Sequence, residues 1–211
     1  MKNYSDVSKN KTNKAVFLDR DGVINYPVFN SRTNEYEAPH KKEDLKLFPE
    51  VIEALKSLIK MDYRLFLVSN QPDYAKGKTS MENLYKVHER LKELFEKNNI
   101  LFTEYCYCYH HPQGVIPEYS FKCQCRKPGN LFLKQAESKY GLNISNSWMV
   151  GDRDADINCG QSAGVKTILI KQPYSDGKAG QSNPEFTANS LKDAVEIIKS
   201  TLNNRRKNVT S

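Results

Sequence analysis

An α/β fold built on a doubly wound parallel sheet is predicted by three features of the sequence. Apolar runs recur along the chain without alternating, "AVFL" at 15–18 and "VKTILI" at 165–170 among them, which marks strands covered on both faces. Between the runs lie segments with apolar residues at three- and four-residue spacing, and strands alternating with helices imply parallel pairing through right-handed crossovers. Four of the strands end on a polar cluster, and in an open parallel sheet the carboxyl ends of the strands form one ligand crevice.

Each element follows from its local pattern. The first strand, 15–18, stops on Asp19, Arg20, Asp21 and Gly22. Residues 26–48 are polar and rich in turn formers, so they read as a long loop beside the strand end. Pro49 opens a helix that carries Val51, Leu55, Leu58 and Ile59 on one face. Residues 63–71, "YRLFLVSNQ", form a second buried strand, and Ser80 caps a helix whose apolar face is Leu84, Val87, Leu91 and Leu94. A third strand falls in "FTEYCYCYHH", 102–111, followed by a helix at 130–141 that Gly141 terminates. The fourth strand begins "SWMVGDRDAD", 147–156; the fifth is 165–170, and a last helix covers 190–202. No internal repeat is present.

The chain has 211 residues, 38% of them hydrophobic, enough for one domain with a proper core, placed at 14–202. Residues 1–13 and 203–211 read as flexible basic tails and hold much of the net charge of +7. A basic surface steers an anionic substrate inward. No stretch approaches the roughly 18 apolar residues of a membrane span, and the N-terminal residues have no apolar segment of the signal-peptide kind. A cytoplasmic protein that engages no membrane is expected, and a monomer. Five cysteines, an odd number, fit metal binding better than a disulfide framework in that compartment.

Two chemical constellations stand out. Asp19 and Asp21 leave the first strand on the same side, because side chains in extended backbone point alike at i and i+2. Two adjacent carboxylates raise each other's pKa unless a cation or hydrogen-bond donors compensate, so a metal or a phosphate-binding group is expected beside them. Arg20 is expected to point away from both acids. The second constellation is Cys108 and His110, then, after twelve intervening residues, Cys123 and Cys125. Three thiolates and an imidazole suit tetrahedral Zn²⁺, with each i, i+2 pair pinching one ion. Cys106 faces the same side as Cys108 and is a rival ligand. His40 and His88 read as surface histidines.

The motifs resemble those of the haloacid-dehalogenase superfamily of phosphatases. In family order they are "DRDGVIN" at 19–25, "SNQ" at 69–71, Lys127 within "CRKPG", and "GDRDAD" at 151–156. Within the superfamily the chain is most similar to the group that hydrolyses histidinol phosphate or heptose bisphosphate, marked by "DRDGVIN", "SNQ" and a "CRKP" that follows a zinc-like cluster. The resemblance implies a Rossmann-like core with a small zinc-binding loop at 106–125 and no large cap domain. It also implies a Mg²⁺-dependent phosphatase acting on a small phosphorylated sugar, the C7 phosphate of D-glycero-D-manno-heptose 1,7-bisphosphate, in the synthesis of lipopolysaccharide-type surface precursors. Histidinol phosphate is the alternative substrate.

By that resemblance Asp19 is the nucleophile, Asp21 the general acid and base, Ser69 a donor to the phosphoryl oxygens and Lys127 the cation that neutralises them. Mg²⁺ falls to Asp19, the backbone carbonyl of Asp21, and Asp152. Asn70, Gln71, Arg126 and Arg153 are expected at the substrate, and Asp156 is expected to support Lys127 or the metal. The zinc set becomes Cys108, His110, Cys123 and Cys125, with Cys106 and His111 left to local packing. A different class, a zinc-containing module gripping nucleic acid with its basic tails, is disfavoured. Its basic residues are not interleaved with aromatics as a stacking platform requires, and the zinc loop has no reading helix.

Overall fold

The computed structural model describes residues 13–175 and 177–209. Six parallel strands form the central sheet in the order β5, β4, β1, β6, β7, β8, with bounds Ala15–Leu18 (β1), Arg64–Asn70 (β4), Glu104–Cys108 (β5), Trp148–Gly151 (β6), Lys166–Ile170 (β7) and Phe186–Ala188 (β8). Five helices cover it: α1 (Val51–Lys60), α2 (Met81–Glu96), α3 (Leu131–Tyr140), α4 (Asp154–Ala163) and α5 (Leu191–Val209). The strand alternation of β1 explains the layering. Val16 and Leu18 pack with the apolar faces of α1, α2 and α5, whereas Ala15 and Phe17 pack with Leu133 and Ala136 of α3 and Cys159 and Ala163 of α4. Every residue of β1 is buried, as its unbroken apolar run requires.

The local signals act where expected. Ser80 accepts a hydrogen bond from the Asn83 backbone N–H at 3.1 Å at the start of α2, and Gly141 takes a left-handed conformation (φ 60°) past the end of α3. Three elements differ from expectation. Residues 26–48 contain an antiparallel hairpin, β2 (Val28–Asn30) with β3 (Glu35–Glu37). Its strands and the later β8 have three residues each, too few for a periodic pattern to emerge. The last helix runs on to Val209, past the expected boundary at 202, so the segment expected as a tail continues the helix there. Residues 1–12 and 210–211, where most of the two tails were expected, lie outside the described residues.

Because the sheet is parallel, β1, β4, β5 and β6 deliver their carboxyl ends to one edge. Asp19, Ser69, Cys108 and Asp152 thus converge from positions up to 133 residues apart in sequence. No large cap domain covers this edge among the described residues. No helix among them is long and apolar enough to cross a membrane.

Candidate active site

Lys127 is the centre of the buried floor of the cleft. Its ammonium donates to Asp19 Oδ1 at 2.6 Å and to the Val68 carbonyl at 2.7 Å, and pairs with Asp156 Oδ1 at 2.6 Å, so each of its three protons has an acceptor. Burial works to lower the lysine's pKa, but the charges of Asp156 and Asp19 outweigh it and hold it above its ordinary range. Asp19 is raised, first by burial, then by the charges of Asp156 and Asp21, against the pull of Lys127. Both oxygens of Asp156 have a partner, since its Oδ2 accepts from the Arg153 N–H at 3.0 Å at the start of α4. That agrees with a supporting role for Asp156. Gly151 makes room for it: a Cβ at 151 would meet the Asp156 Cβ at 2.1 Å.

Asp21 sits in a cage of donors. Arg20 reaches it through Nε (3.2 Å to Oδ1) and Nη2 (3.2 Å to Oδ1 and 3.1 Å to Oδ2), Asn25 Nδ2 lies 2.9 Å from Oδ1, and Gln71 Nε2 lies 2.7 Å from Oδ2. Two expectations are corrected here. Arg20 does not point away from the acids; its long side chain folds back under the strand end, 1% exposed, to reach the neighbouring carboxylate. Gln71 is no substrate ligand as it stands. It is 1% exposed and spends its amide on Asp21, on Ser69 Oγ at 3.0 Å and on the Arg20 guanidinium at 2.9 Å.

Asn70 also has another task. Its amide clamps the Lys127 backbone, donating to the Lys127 carbonyl and accepting from the Lys127 N–H, both at 3.0 Å, which ties the end of β4 to the "CRKP" segment. Ser69 accepts from Gln71, which leaves the hydroxyl proton for an acceptor in the cleft.

The acids fit a hard cation. Asp19, Asp152 and Asp156 present oxygens within 4.8 Å of one another, and Asp152 Oδ1 is buried without a hydrogen-bond partner while Oδ2 accepts from the Ser175 hydroxyl. A buried carboxylate oxygen with no donor is costly unless a cation ligates it, and an all-oxygen set suits Mg²⁺. Gly22 (φ 91°) lets the chain turn close against this group, for a Cβ there would lie 2.3 Å from Asp152 Oδ2.

Burial, joined by the charges of Asp19 and Asp156, pushes the Asp152 carboxyl up to about 7, against the opposing pull of Arg153 and Ser175. A carboxyl raised in the folded state favours the metal-free fold below its unfolded pKa and loses that contribution as pH rises through about 7. Mg²⁺ competes with that proton. The expected result is an apparent Mg²⁺ affinity about tenfold weaker at pH 6 than at pH 8, read from the Mg²⁺-dependent rise in Tm at each pH. Equal affinities would remove Asp152 from the metal site.

The cysteine cluster assembles beside the cleft. Cys108 Sγ lies 3.5 Å from the sulfurs of both Cys123 and Cys125 and 3.7 Å from His110 Nδ1; Cys125 lies 3.2 Å from Cys123 and 3.5 Å from His110 Nδ1. A tetrahedron with metal–ligand bonds of about 2.0–2.3 Å has edges of roughly 3.3–3.8 Å, so the spacing fits a four-coordinate zinc. Burial pushes the Cys108 thiol up, so a thiolate there calls for a cation. Cys106 stays outside: its thiol packs in the core on the α3 side, 4.0 Å from Glu104, and burial pushes it up to about 12. Cys159 is likewise a buried thiol, donating to the Gly129 carbonyl at 3.3 Å.

The cleft above this floor encloses about 330 Å³, the scale of a small-molecule site. Arg126 and Arg153 line it, together with Lys76, Lys78 and Lys178 and the hairpin residues Glu35, Tyr36 and Glu37. Arg153 Nε is 3.8 Å from Asp152 Oδ2, a charge contact too long to be a hydrogen bond. The lysines and Ser175 escaped the sequence reading. They sit in the loops after β4 and β7, and the strand-end rule that located the other clusters would have found the polar run "KQPYSDGK" as a fifth. The histidines are corrected too: His40 Nε2 lies 2.8 Å from Asp73 and His88 Nδ1 lies 3.1 Å from the Tyr107 hydroxyl, both half-buried.

Known proteins resemble this chain over most of its length. A family model described as HAD-hydrolase-like matches residues 124–194. D-glycero-alpha-D-manno-heptose-1,7-bisphosphate 7-phosphatase of Photorhabdus laumondii is 31% identical over 183 residues, 84% of this chain and 96% of the relative. The chain belongs to the family of HAD-like phosphatases. A second relative, D-glycero-beta-D-manno-heptose-1,7-bisphosphate 7-phosphatase of Vibrio cholerae, is 33% identical over 87% of this chain and 95% of its own length. The crystal structure of D,D-heptose 1,7-bisphosphate phosphatase from B. bronchiseptica, complexed with magnesium and phosphate, superposes with a TM-score of 0.73 at 20% identity. It covers 89% of this chain and 99% of the other, and it shows the shared fold. This HAD-like phosphatase is therefore a hydrolase of phosphate monoesters, with the family's use of Mg²⁺.

Proposed function

We propose that the chain removes the C7 phosphate of D-glycero-D-manno-heptose 1,7-bisphosphate, with Asp19 as nucleophile and Asp21 as acid and base. The observation that carries the catalytic part is the Lys127 ammonium held 2.6 Å from both Asp19 and Asp156 at the buried end of a cleft lined by charged side chains of both signs. The names of the relatives from Photorhabdus laumondii and Vibrio cholerae support the substrate.

In the first step an Asp19 oxygen forms a bond to phosphorus as the bond to the sugar oxygen breaks, and the Asp21 carboxyl gives that oxygen its proton. In the second, a water gives a proton back to Asp21 as its oxygen bonds to phosphorus and the Asp19–phosphorus bond breaks. Ser69 donates its free proton to a phosphoryl oxygen, and Lys127 offsets the charge that spreads over those oxygens in both transition states. Asp19, Asp152 and the Asp21 carbonyl would hold Mg²⁺, which when bound would supply positive charge to the same oxygens. A zinc ion in the cluster of Cys108, His110, Cys123 and Cys125 is structural in this reading, since four protein ligands leave no open position. Arg126 and Lys127 follow Cys125 directly, so a fixed zinc loop fixes both cations. A cytoplasmic monomer, a single domain from residue 14 to the end of α5 that needs neither membrane nor nucleic acid, belongs to the same proposal.

Two results test the metals and the substrate. Cys123→Ser is expected to cost about 3 kcal/mol, a fall in Tm of roughly 6–12 °C, while EDTA followed by Mg²⁺ restores activity to the unmodified enzyme. Elemental analysis without zinc in protein purified under reducing conditions would remove that site. For the substrate, a second phosphate gives Arg126 and Arg153 a bidentate partner, and such charge-assisted pairs are worth about 1.5–3 kcal/mol. Phosphate release from a panel holding both heptose bisphosphate anomers and histidinol phosphate is expected to favour the bisphosphate by at least about tenfold in kcat/KM. Arg126→Ala narrows the gap. Equal or reversed preference would turn the assignment to histidinol phosphate.

A further inference from the structure

We infer that Arg20 is a positioning residue for the acid–base step, holding the Asp21 carboxylate in a single rotamer behind the cleft. The inference rests on the reading of Asp21 as acid and base.

Its starting point is a buried charge with no obvious reason to be there. Strand alternation would give position 20 an apolar side chain facing the sheet's covered side, yet a guanidinium 1% exposed occupies it. Replacing a buried ion pair by apolar residues of similar volume is often neutral or stabilising, so stability alone does not account for one directly behind the proposed acid. The geometry supplies an account. Arg20 Nη2 bonds both Asp21 oxygens and also Gln71 Oε1 at 2.9 Å, while Gln71 Nε2 returns to Asp21 Oδ2 at 2.7 Å. Arg20, Asp21 and Gln71 therefore close a ring of hydrogen bonds.

The ring is braced from behind. The Arg20 guanidinium carbon lies 5.8 Å from the centre of the Tyr107 ring, whose hydroxyl is held by His88 at 3.1 Å. It is also coupled forward, because Gln71 bonds Ser69 Oγ. Asp21 must deliver a proton to the leaving oxygen and later collect one from water at the same point in space. Such a shuttle depends on the carboxylate keeping one direction through both steps, and misplacement by about 1 Å costs on the order of 10² in rate. A lysine cannot reproduce the two-oxygen fork.

Leaving-group dependence tests this. Protonation matters for an alkyl phosphate, whose alkoxide leaves poorly, and little for p-nitrophenyl phosphate. In Arg20→Lys and Arg20→Met, kcat/KM is expected to fall at least about tenfold further for the alkyl phosphate most active in the panel than for p-nitrophenyl phosphate. The ratio is taken on one protein sample, so a loss of folded protein cancels. Equal falls on both substrates overturn the inference. If neither Arg20 variant yields active protein, Gln71→Met, which opens the same ring, is expected to show the split, and equal falls there overturn it instead. Asp21→Asn separates the two claims: no split in that variant removes Asp21 as the acid, whereas a split there with none in the Arg20 variants leaves Asp21 in place and removes Arg20 alone.

Discussion

Asp19→Asn is expected to lower phosphate release by at least about 10⁴-fold, roughly 5 kcal/mol of transition-state stabilisation. The amide keeps the shape of the carboxylate but is a far weaker nucleophile toward phosphorus, and it takes one charge from the metal site. The same substitution should not destabilise the metal-free protein. Burial raises the Asp19 carboxyl, and the charges of Asp156 and Asp21 raise it further, so a neutral side chain relieves a repulsion that Lys127 offsets in part. Steady-state phosphate release and a thermal melt without metal check both halves. Residual activity within tenfold of the unmodified enzyme would assign the nucleophile elsewhere.

Lys127→Met is the second large effect, and it should strike rate and stability together. Its ammonium is the cation between two buried carboxylates, Asp19 and Asp156, and its three protons are all bound. Removing one partner of a buried pair costs about 3–5 kcal/mol because the charge left behind has no compensation. Loss of a donor aimed at the developing charge costs about 10²–10³ in kcat. The destabilisation should be larger at pH 8 than at pH 5. Without the lysine the Asp19 carboxyl, already raised by burial, loses the main charge that opposes the shift, and a group so raised favours folding below its unfolded pKa and loses that contribution as pH rises through the folded value. Urea denaturation at the two pH values reads this. A variant as stable as the unmodified protein at pH 8 would mean the carboxylates are already neutralised by other means.

The parts legible in the sequence were those with local causes. An unbroken apolar run ending on acids located β1 and its two aspartates, and the paired spacing of 108, 110, 123 and 125 located the cysteine cluster. Motif order over most of the chain then joined Lys127 and Asp152 to the same crevice, and parallel strand ends converge as the topology requires. What escaped lies in partnerships that no local pattern encodes. The "SNQ" motif implies Gln71 at the substrate, but its amide is claimed by Arg20 and Asp21, some fifty residues away in sequence. Asn70 clamps the Lys127 backbone across 57 residues. Arg20 was read by strand alternation, which assumes a short side chain; a guanidinium on a long stem can turn back round the strand end. Cys106 and Cys108 share a strand face, and only the height along β5 separates them. Cys106 lies within the packed layer opposite Val68, and Cys108 lies opposite Asn70, where the zinc loop can reach it.

Chemical trapping of the intermediate tests the central claim most directly. The enzyme is mixed with substrate and Mg²⁺, quenched in acid within a turnover and reduced with borohydride, which converts an aspartyl-phosphate to homoserine. Peptide mapping is predicted to find homoserine at position 19 and nowhere else, absent when substrate is omitted. Turnover of the substrate with aspartate intact at position 19, or homoserine at another aspartate, would contradict the account.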